Sequence, residues 1–403
     1  MKLFLPGLLL ILSFFSACAQ QAPQELQTVK GRWNEKKINK WYAKQPWLVG
    51  CNYYPATAIN QIDMWQASTW DPERIDLELG WAANIGMNTL RVYLHDLVWA
   101  DDEDGLYQRM DEFLTICDKH GIRPWFVFFD DCHFPNPQLG EQPLPVRAYH
   151  NSAWLNSPAR DLAKRYAKGK ASPEEIAHLK GYVQGTMERF KKDKRILMWE
   201  LYNEPGRGNG LNGDMGAKSK KTRIGDLSQK LVFDSWVWAR DVNPSQPITS
   251  CTAGSVGKNN IKINRLNSDL HSIHSYTEPQ ELKTLITDYQ KDGRPVIITE
   301  WLARDRGSTV EACLPVMKEM NVGAVNWGFV SGKSATIWNW GSRKNPAGKK
   351  RSVLQERAEG NVVQPGEAMP EPEVWFHDLF RYDGTPYSTA EIELFQSLTT
   401  DNS

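Results

Sequence analysis

The chain has 403 residues, with 48 acidic and 48 basic side chains and a formal net charge of +0. That balance argues against a nucleic-acid partner, which would favour a basic face, and the length fits one large domain or two modest ones. Its 17 tryptophans are the unusual feature. Tryptophan is hard to bury completely and stacks well, so the surplus points to a binding cleft as well as to a tryptophan-rich core.

The chain opens as an export signal would. Lys2 supplies the positive start, residues 3–15 form an apolar run too short for a comfortable membrane span, and small residues follow. Phe15-Ser16-Ala17-Cys18 resembles a bacterial lipoprotein processing site, with Cys18 as the lipidated first residue of the mature chain. The expectation is export with membrane anchoring through Cys18, in the periplasm or at the cell surface, or simple secretion if lipidation does not follow cleavage. Residues 19–45 are polar and read as a tether, leaving 46–403 as one domain. Cys51, Cys117, Cys132, Cys251 and Cys313 are odd in number and hold no Cys-x-x-Cys pair, so they suggest neither a disulfide framework nor a zinc site.

From there apolar strands alternate with helical patterns. Strands are predicted over 47–54, 87–95, 123–129, 196–204, 247–251, 269–276, 296–300 and 323–329. Helices are predicted over 71–85, 106–120, 173–190, 225–240, 281–292, 310–320 and 388–398. Longer excursions cover 134–154, 206–219 and 342–372. Eight strands separated by helices fit an α/β fold of the single (β/α)₈ barrel type better than a doubly wound sheet, because no Gly-rich phosphate turn follows the first strand. The long loops after the third, fourth and eighth strands would then share the C-terminal face, where barrel enzymes hold their sites.

Two of these strands end in glutamate. One closes on Trp199-Glu200-Leu201-Tyr202-Asn203-Glu204-Pro205, the other on Val296-Ile297-Ile298-Thr299-Glu300. A salt bridge is the ordinary role of either carboxylate alone. Both at matching strand ends suggest glycoside hydrolysis, which needs one carboxyl as acid and another as nucleophile or base. Glu200, four residues before Glu204, is expected to be a buried polar core residue.

At these residues the chain resembles the retaining glycoside hydrolases of the large (β/α)₈ clan, particularly the cellulase and β-mannanase family numbered five. The resemblance runs from about Trp47 to Leu398 and rests on six strand ends. It implies Glu204, after Asn203, as acid/base and Glu300 as nucleophile. It further implies site roles for Arg91, for His274 and Tyr276 in His274-Ser275-Tyr276, for Trp327 and for His133. The stretch 199–205 is similar to that of β-mannanases, whereas Trp301 and the segment 330–334 with Trp338 and Trp340 depart from the family's best-known endoglucanases.

On this reading Glu300 attacks the anomeric carbon while Glu204 gives and then takes the proton. Glu204 must keep its proton near neutral pH, and a nearby ionised Glu300 with some burial is expected to raise its pKa. Arg91 would hold Glu300 ionised, Tyr276 would hydrogen-bond it, and Asn203 would bind the sugar 2-hydroxyl. Trp327 reads as a sugar platform or, nearly as well, as a wall of the barrel. Trp65, Trp70, Trp154, Trp301, Trp338 and Trp340 are candidates for outer subsites. His271 and His274 are expected on opposite strand faces rather than on one metal, although His133 beside Asp130 and Asp131 keeps a metal-dependent hydrolase in view. Gly332-Lys333-Ser334 is not a phosphate loop, because position 327 is Trp where Gly is needed.

The expectation is thus a monomeric hydrolase of β-linked glycans of the mannan, glucan or xylan class, using no metal or organic cofactor and touching a membrane only through Cys18. An exo-acting β-glycosidase on short oligosaccharides and a glycan-binding barrel without turnover are the alternatives.

Overall fold

The computed structural model describes residues 26–207, 225–254 and 257–400. The signal region, Cys18 and most of the excursion 206–219 lie outside the described residues. Nine parallel strands make one sheet: β1 Val49–Asn52, β2 Thr89–Tyr93, β3 Arg123–Asp130, β4 Trp199–Asn203, β5 Ile248–Thr249, β6 Cys251–Ala253, β7 His271–His274, β8 Val296–Glu300 and β9 Gly323–Trp327. Their order is β5-β4-β3-β2-β1-β9-β8-β7-β6.

β5 and β6 are two halves of one stave, so nine strands make the eight positions of a nearly closed (β/α)₈ barrel. Thr249 pairs with Glu200 on one side, and Cys251 pairs with Ser272 on the other. Ser250, at the break, donates its hydroxyl to the carbonyl of Tyr202 at 3.2 Å. The fifth strand was expected to be continuous over 247–251. It is split at Ser250, with its first half paired to β4 and its second half to β7.

A longer helix follows each stave, from Pro72–Asn84 after β1 to Thr389–Thr399 after β9. Pro173–Phe190 has the bounds its pattern predicts. Ser172 and Glu175 make a reciprocal capping box, and Pro173 occupies the first helical position, where its missing N–H costs nothing. Lys258–Asn267, between β6 and β7, has no apolar stripe to announce it. Its buried face includes Asn260, Asn264 and Asn267. Asn264 donates to the carbonyl of Cys251 at 2.8 Å and accepts from the Trp236 indole at 3.0 Å, so hydrogen bonds replace apolar contact there.

The segment read as a tether is in large part folded. Glu35–Tyr42 is a helix capped by Asn34, and Ile38 is fully buried. Trp33 and Ile38 join Leu48, Trp125, Leu197, Met198, Leu270, Ile297 and Val325 in a cluster that draws on the starts of several staves. The Trp33 amide donates to Asp269 at 2.7 Å. A side chain fully buried in this way contributes ~1.5–3 kcal/mol, enough to fix a segment whose composition alone reads as linker.

At the C-terminal end the excursions after β3 and β9 are clasped together. Val146 bridges Val362, and the amide of Val363 donates to the carbonyl of Pro145 at 2.9 Å. Arg351 donates to the carbonyls of Arg147 and Ala148, and Arg357 to those of Leu144 and Ser152. Val146, Tyr149 and Val353 form a small apolar core under this clasp.

Candidate active site

The clasp, the strand ends and the loop after β4 enclose a cavity of about 930 Å³ whose lining includes Asn203, Glu204, His274, Tyr276, Glu300 and Trp327. Parallel strands bring these residues to one end because their registers align. Asn52 pairs with both Arg91 and Trp327, Asp130 with Asn203, and His274 with Glu300.

Glu300 ends β8 inside a cage of donors. The Tyr276 hydroxyl donates to Oε2 at 2.7 Å, while Arg91 Nη1 and the Tyr93 hydroxyl donate to Oε1 at 2.9 and 3.2 Å. Arg91 is fully buried, and all three of its nitrogens are engaged. Nε and Nη2 fork onto Glu200 at 2.8 and 2.7 Å, Nη1 also reaches Asn52, and Nη2 reaches Asn203 at 2.8 Å. Glu200 is the buried polar residue expected, and it accepts further from the Trp125 indole and the Ser272 hydroxyl. Burial pushes its pKa up, but the charge and hydrogen bonds of Arg91, with His274 and the Trp125 indole, together outweigh burial and hold it below the ordinary value.

Glu204 is held differently. It has φ of 41°, a left-handed backbone conformation costly for a residue with a β-carbon, and the positive-φ Gly206 follows Pro205. Its Oε1 lies 2.9 Å from His274 Nδ1 and its Oε2 2.7 Å from Arg207 Nε. Burial pushes its pKa up, but Arg207 and His274 together bring it down to about 2. The expected upward shift is thus reversed. The sequence shows the carboxylate across the barrel but not the two cations that reach Glu204 first. Burial also opposes protonation of His274, yet Cys251, Glu300 and Glu204 around it hold its pKa well above the usual value.

His274 Nδ1 lies 3.3 Å from Glu300 Oε2, and one ligand-type atom from each of Glu204, His274 and Glu300 falls within 4.8 Å of the others. By spacing these three could hold a cation. The guanidinium charges of Arg207 and Arg91 already lie on the same two carboxylates and disfavour one. His271 sits apart from His274, beside Asp292 at 3.0 Å.

His133 stacks on Trp327 with centroids 6.0 Å apart and planes 14° off parallel, and its Nδ1 lies 2.8 Å from Asp130. Asn203 donates Nδ2 to the same Asp130 at 3.0 Å. Of the candidate outer-subsite tryptophans, Trp340 lines the cavity and the other five do not. Trp65 and Trp301 are fully buried in the core, and Trp70 packs on Trp65 with its indole donating to Glu112. Trp154 stands edge-on behind Trp327, and Trp338 donates to the carbonyl of Pro370. Core and platform use the same side chain, so sequence alone does not separate them.

Three site residues escaped the sequence reading. Tyr93 was open to discovery, because it lies two residues after Arg91 and so on the same strand face. Arg207 and Gly254 were not. A Cβ at Gly254, whose φ is 103°, would sit 2.8 Å from Glu204 Oε1 and 3.0 Å from His274 Nδ1.

The family model for Cellulase (glycosyl hydrolase family 5) matches residues 66–342. The chain belongs to glycosyl hydrolase family 5. It is therefore an O-glycosyl hydrolase of a retaining clan. No curated protein matches this family 5 chain in sequence. Its fold is similar to that of the exo-β-1,4-mannosidase Op5Man5 from Opitutaceae bacterium strain TAV5, with 16% identity, TM-score 0.50 and coverage of 88% of this chain and 60% of that one. The chain thus spans less than two thirds of that mannosidase's length. The endo-β-1,4-mannanase from Thermotoga petrophila gives 12% identity, TM-score 0.52 and coverage of 90% and 78%. The GH5_18 protein from Streptomyces cattleya, solved with GlcNAc, gives 10% identity, TM-score 0.53 and coverage of 89% and 80%.

Proposed function

We propose that this family 5 hydrolase cleaves β-mannan-type glycans by double displacement, with Glu300 as nucleophile and Glu204 as acid/base. One observation carries the assignment: an oxygen of Glu204 and one of Glu300 lie within 4.8 Å of each other over the barrel mouth. Retaining pairs stand about 5–5.5 Å apart, whereas inverting pairs stand ~6.5–9.5 Å apart to admit a water. Glu300 attacks the anomeric carbon, the glycosidic bond breaks, and the leaving oxygen takes a proton from Glu204. Water deprotonated by Glu204 then releases the sugar from Glu300.

The proton for the first step resides in the Glu204–His274 pair. With His274 charged and Glu204 ionised, transfer across the 2.9 Å contact from Nδ1 to Oε1 yields neutral imidazole and a protonated acid. Asn203, oriented by Arg91 and Asp130, is the residue proposed for the 2-hydroxyl, and Trp327 for the apolar sugar face.

Mannan is favoured over glucan and xylan by the stretch 199–205 and by the mannosidase and mannanase among the similar folds. The clasp over one side of the cavity favours action at chain ends on short oligosaccharides, as in the exo-acting alternative. Export with lipidation at Cys18 belongs to the same proposal, and labelling with a fatty-acid analogue in cells expressing wild type and Cys18→Ala tests it. For the chemistry, aryl β-glycosides and mannan, glucan and xylan oligosaccharides are to be screened with NMR detection of the product anomer. Retention that survives a chelator and is lost in Glu300→Gln is expected. An inverted product rules out double displacement, and chelator-sensitive turnover would turn the Glu204–His274–Glu300 cluster into a metal site.

A further inference from the structure

One wall of the cavity takes no part in the chemistry proposed above. His150, Asn151, Trp340 and His377 line it beside Tyr276, whose hydroxyl is on Glu300. The first two come from the excursion after β3 and the other two from the chain after β9, so the clasp is what brings them together. The two imidazoles meet with centroids 5.3 Å apart, and they pack on Trp340 at 6.4 and 6.1 Å. The His377 ring lies 5.6 Å from that of Tyr276.

Both imidazoles are fixed in the same tautomer. His150 Nδ1 lies 2.5 Å from the carbonyl of Trp338, and His377 Nδ1 contacts the carbonyl of Leu302. A carbonyl only accepts, so each Nδ1 carries a proton. Burial holds the His150 pKa well below the usual value and brings that of His377 down to about 3, so both rings are neutral near pH 7. Each Nε2 is therefore a bare acceptor.

A Cβ at Gly328 would meet the His377 Cβ at 2.9 Å, and Nδ1 is turned to Leu302. The far edge of the ring, with Nε2, is what remains toward Tyr276 and Trp340. Among the described residues nothing bonds that Nε2, nor Oδ1 of Asn151, and both residues are buried. Asn151 is held there with a left-handed φ of 51°. A buried acceptor without a donor is costly, and acceptors grouped on one wall of a binding cavity call for a ligand that donates.

We infer that this wall is a sugar subsite that reads free hydroxyl groups: Nε2 of His150 and of His377 and Oδ1 of Asn151 accept from hydroxyls of a glycan unit beside the reacting one. This rests on the glycosidase reading of the same cavity. A carboxylate, ester or ether oxygen at those positions would face acceptor against acceptor, so uronate, acylated and O-methylated units are rejected there.

The test compares kcat/KM of the parent protein on matched β-mannan oligosaccharides that carry a single deoxy or O-methyl position on the reacting unit or the next, with aryl β-glycosides read alongside. At one or more positions on the next unit the free hydroxyl is expected to be preferred by about tenfold or more, chiefly through KM. His377→Phe keeps a ring and removes the acceptor. Asn151→Gly removes the amide at a backbone conformation that glycine adopts freely. In each, the preference at the matching hydroxyl is expected to fall toward one, whereas damage to packing alone would slow every substrate alike and leave the preference in place. Parent protein that does not distinguish free from blocked hydroxyls on that unit, or a preference that both variants retain, overturns the inference, while aryl-glycoside hydrolysis keeps the glycosidase reading standing. Should His377→Phe fail to fold, Asn151→Gly and the parent series decide. Parent protein that hydrolyses none of these substrates would overturn the glycosidase reading itself.

Discussion

Glu300 and Glu204 are the same residue type at the ends of two staves of one barrel, yet they sit in opposite kinds of environment. Glu300 is held from inside the barrel by Arg91 and Tyr93 on β2, with Tyr276 just past β7, and Arg91 is itself pinned by Glu200. Glu204 has left the strand, adopts a strained backbone, and takes its contacts from His274 and from Arg207 three residues on, whose side chain is 38% exposed. A nucleophile keeps one charge state until it attacks, and a rigid cage of donors serves it. An acid/base must change state twice per turnover, and contacts that can be exchanged serve it better.

The sharpest way to break this contrast is to remove the two carboxylates in turn. Glu300→Gln is expected to lower kcat on an activated aryl glycoside by on the order of 10⁴-fold or more, with no rescue by a better leaving group. Glu204→Gln should lose far less on the same substrate, because a good leaving group needs no proton. Equal losses for both variants would mean that the division of roles drawn here is wrong.

Arg91 tests the cage itself. Replacing it with Met leaves Glu200 fully buried without its cation, a change that costs ~3–5 kcal/mol when one partner of a buried pair is removed. Chemical denaturation should show that loss, and Arg91→Lys should recover only part of it, since one ammonium cannot fork onto Glu200 and still reach Glu300 and Asn203. On the Glu204 side the comparable test is Gly254→Ala. The new methyl must displace Glu204 or His274 and strains the backbone at φ 103°; since a misplacement of about 1 Å costs on the order of 10² in kcat, a loss of up to about that size is expected. That loss should appear with poor leaving groups and fade with activated ones.

The same contrast explains what could be read in the sequence. The barrel was legible because its staves are apolar and its helices are mostly amphipathic, and both glutamates were legible because strands end abruptly at them. Arg91 was legible through the resemblance to family 5, which carries an Arg on its second strand. The helix Lys258–Asn267 was not, because asparagine side chains bond inward where apolar ones would have left a pattern. The helix Glu35–Tyr42 was missed because its burial rests on Ile38, with Trp33 just ahead of it. Arg207 follows Pro205 and Gly206, beyond any periodic element, and a local turn with no periodic signature brings it back onto Glu204. The cage is written in strands and can be read from them, whereas the contacts of Glu204 come from an irregular turn that brings back Arg207 and from His274 on another stave.

Arg207 gives the smallest and most specific effect. Its charge is the leading influence that offsets burial and brings the Glu204 pKa down to about 2. Arg207→Gln removes that charge, so the Glu204–His274 pair should hold its proton to higher pH, and the basic limb of the kcat/KM profile should move up while the acidic limb stays. The sign for folding runs the other way. A carboxyl whose folded pKa is depressed stabilises the fold above its unfolded value of roughly 4.3 and loses that contribution as pH falls toward the folded value. Stability of the variant should therefore fall less between about pH 5 and 2 than that of the parent protein. If the basic limb moves down, or the two acid-unfolding curves keep the same shape, Arg207 is not what sets the charge on Glu204, and the acid side of the site is as fixed as the nucleophile side.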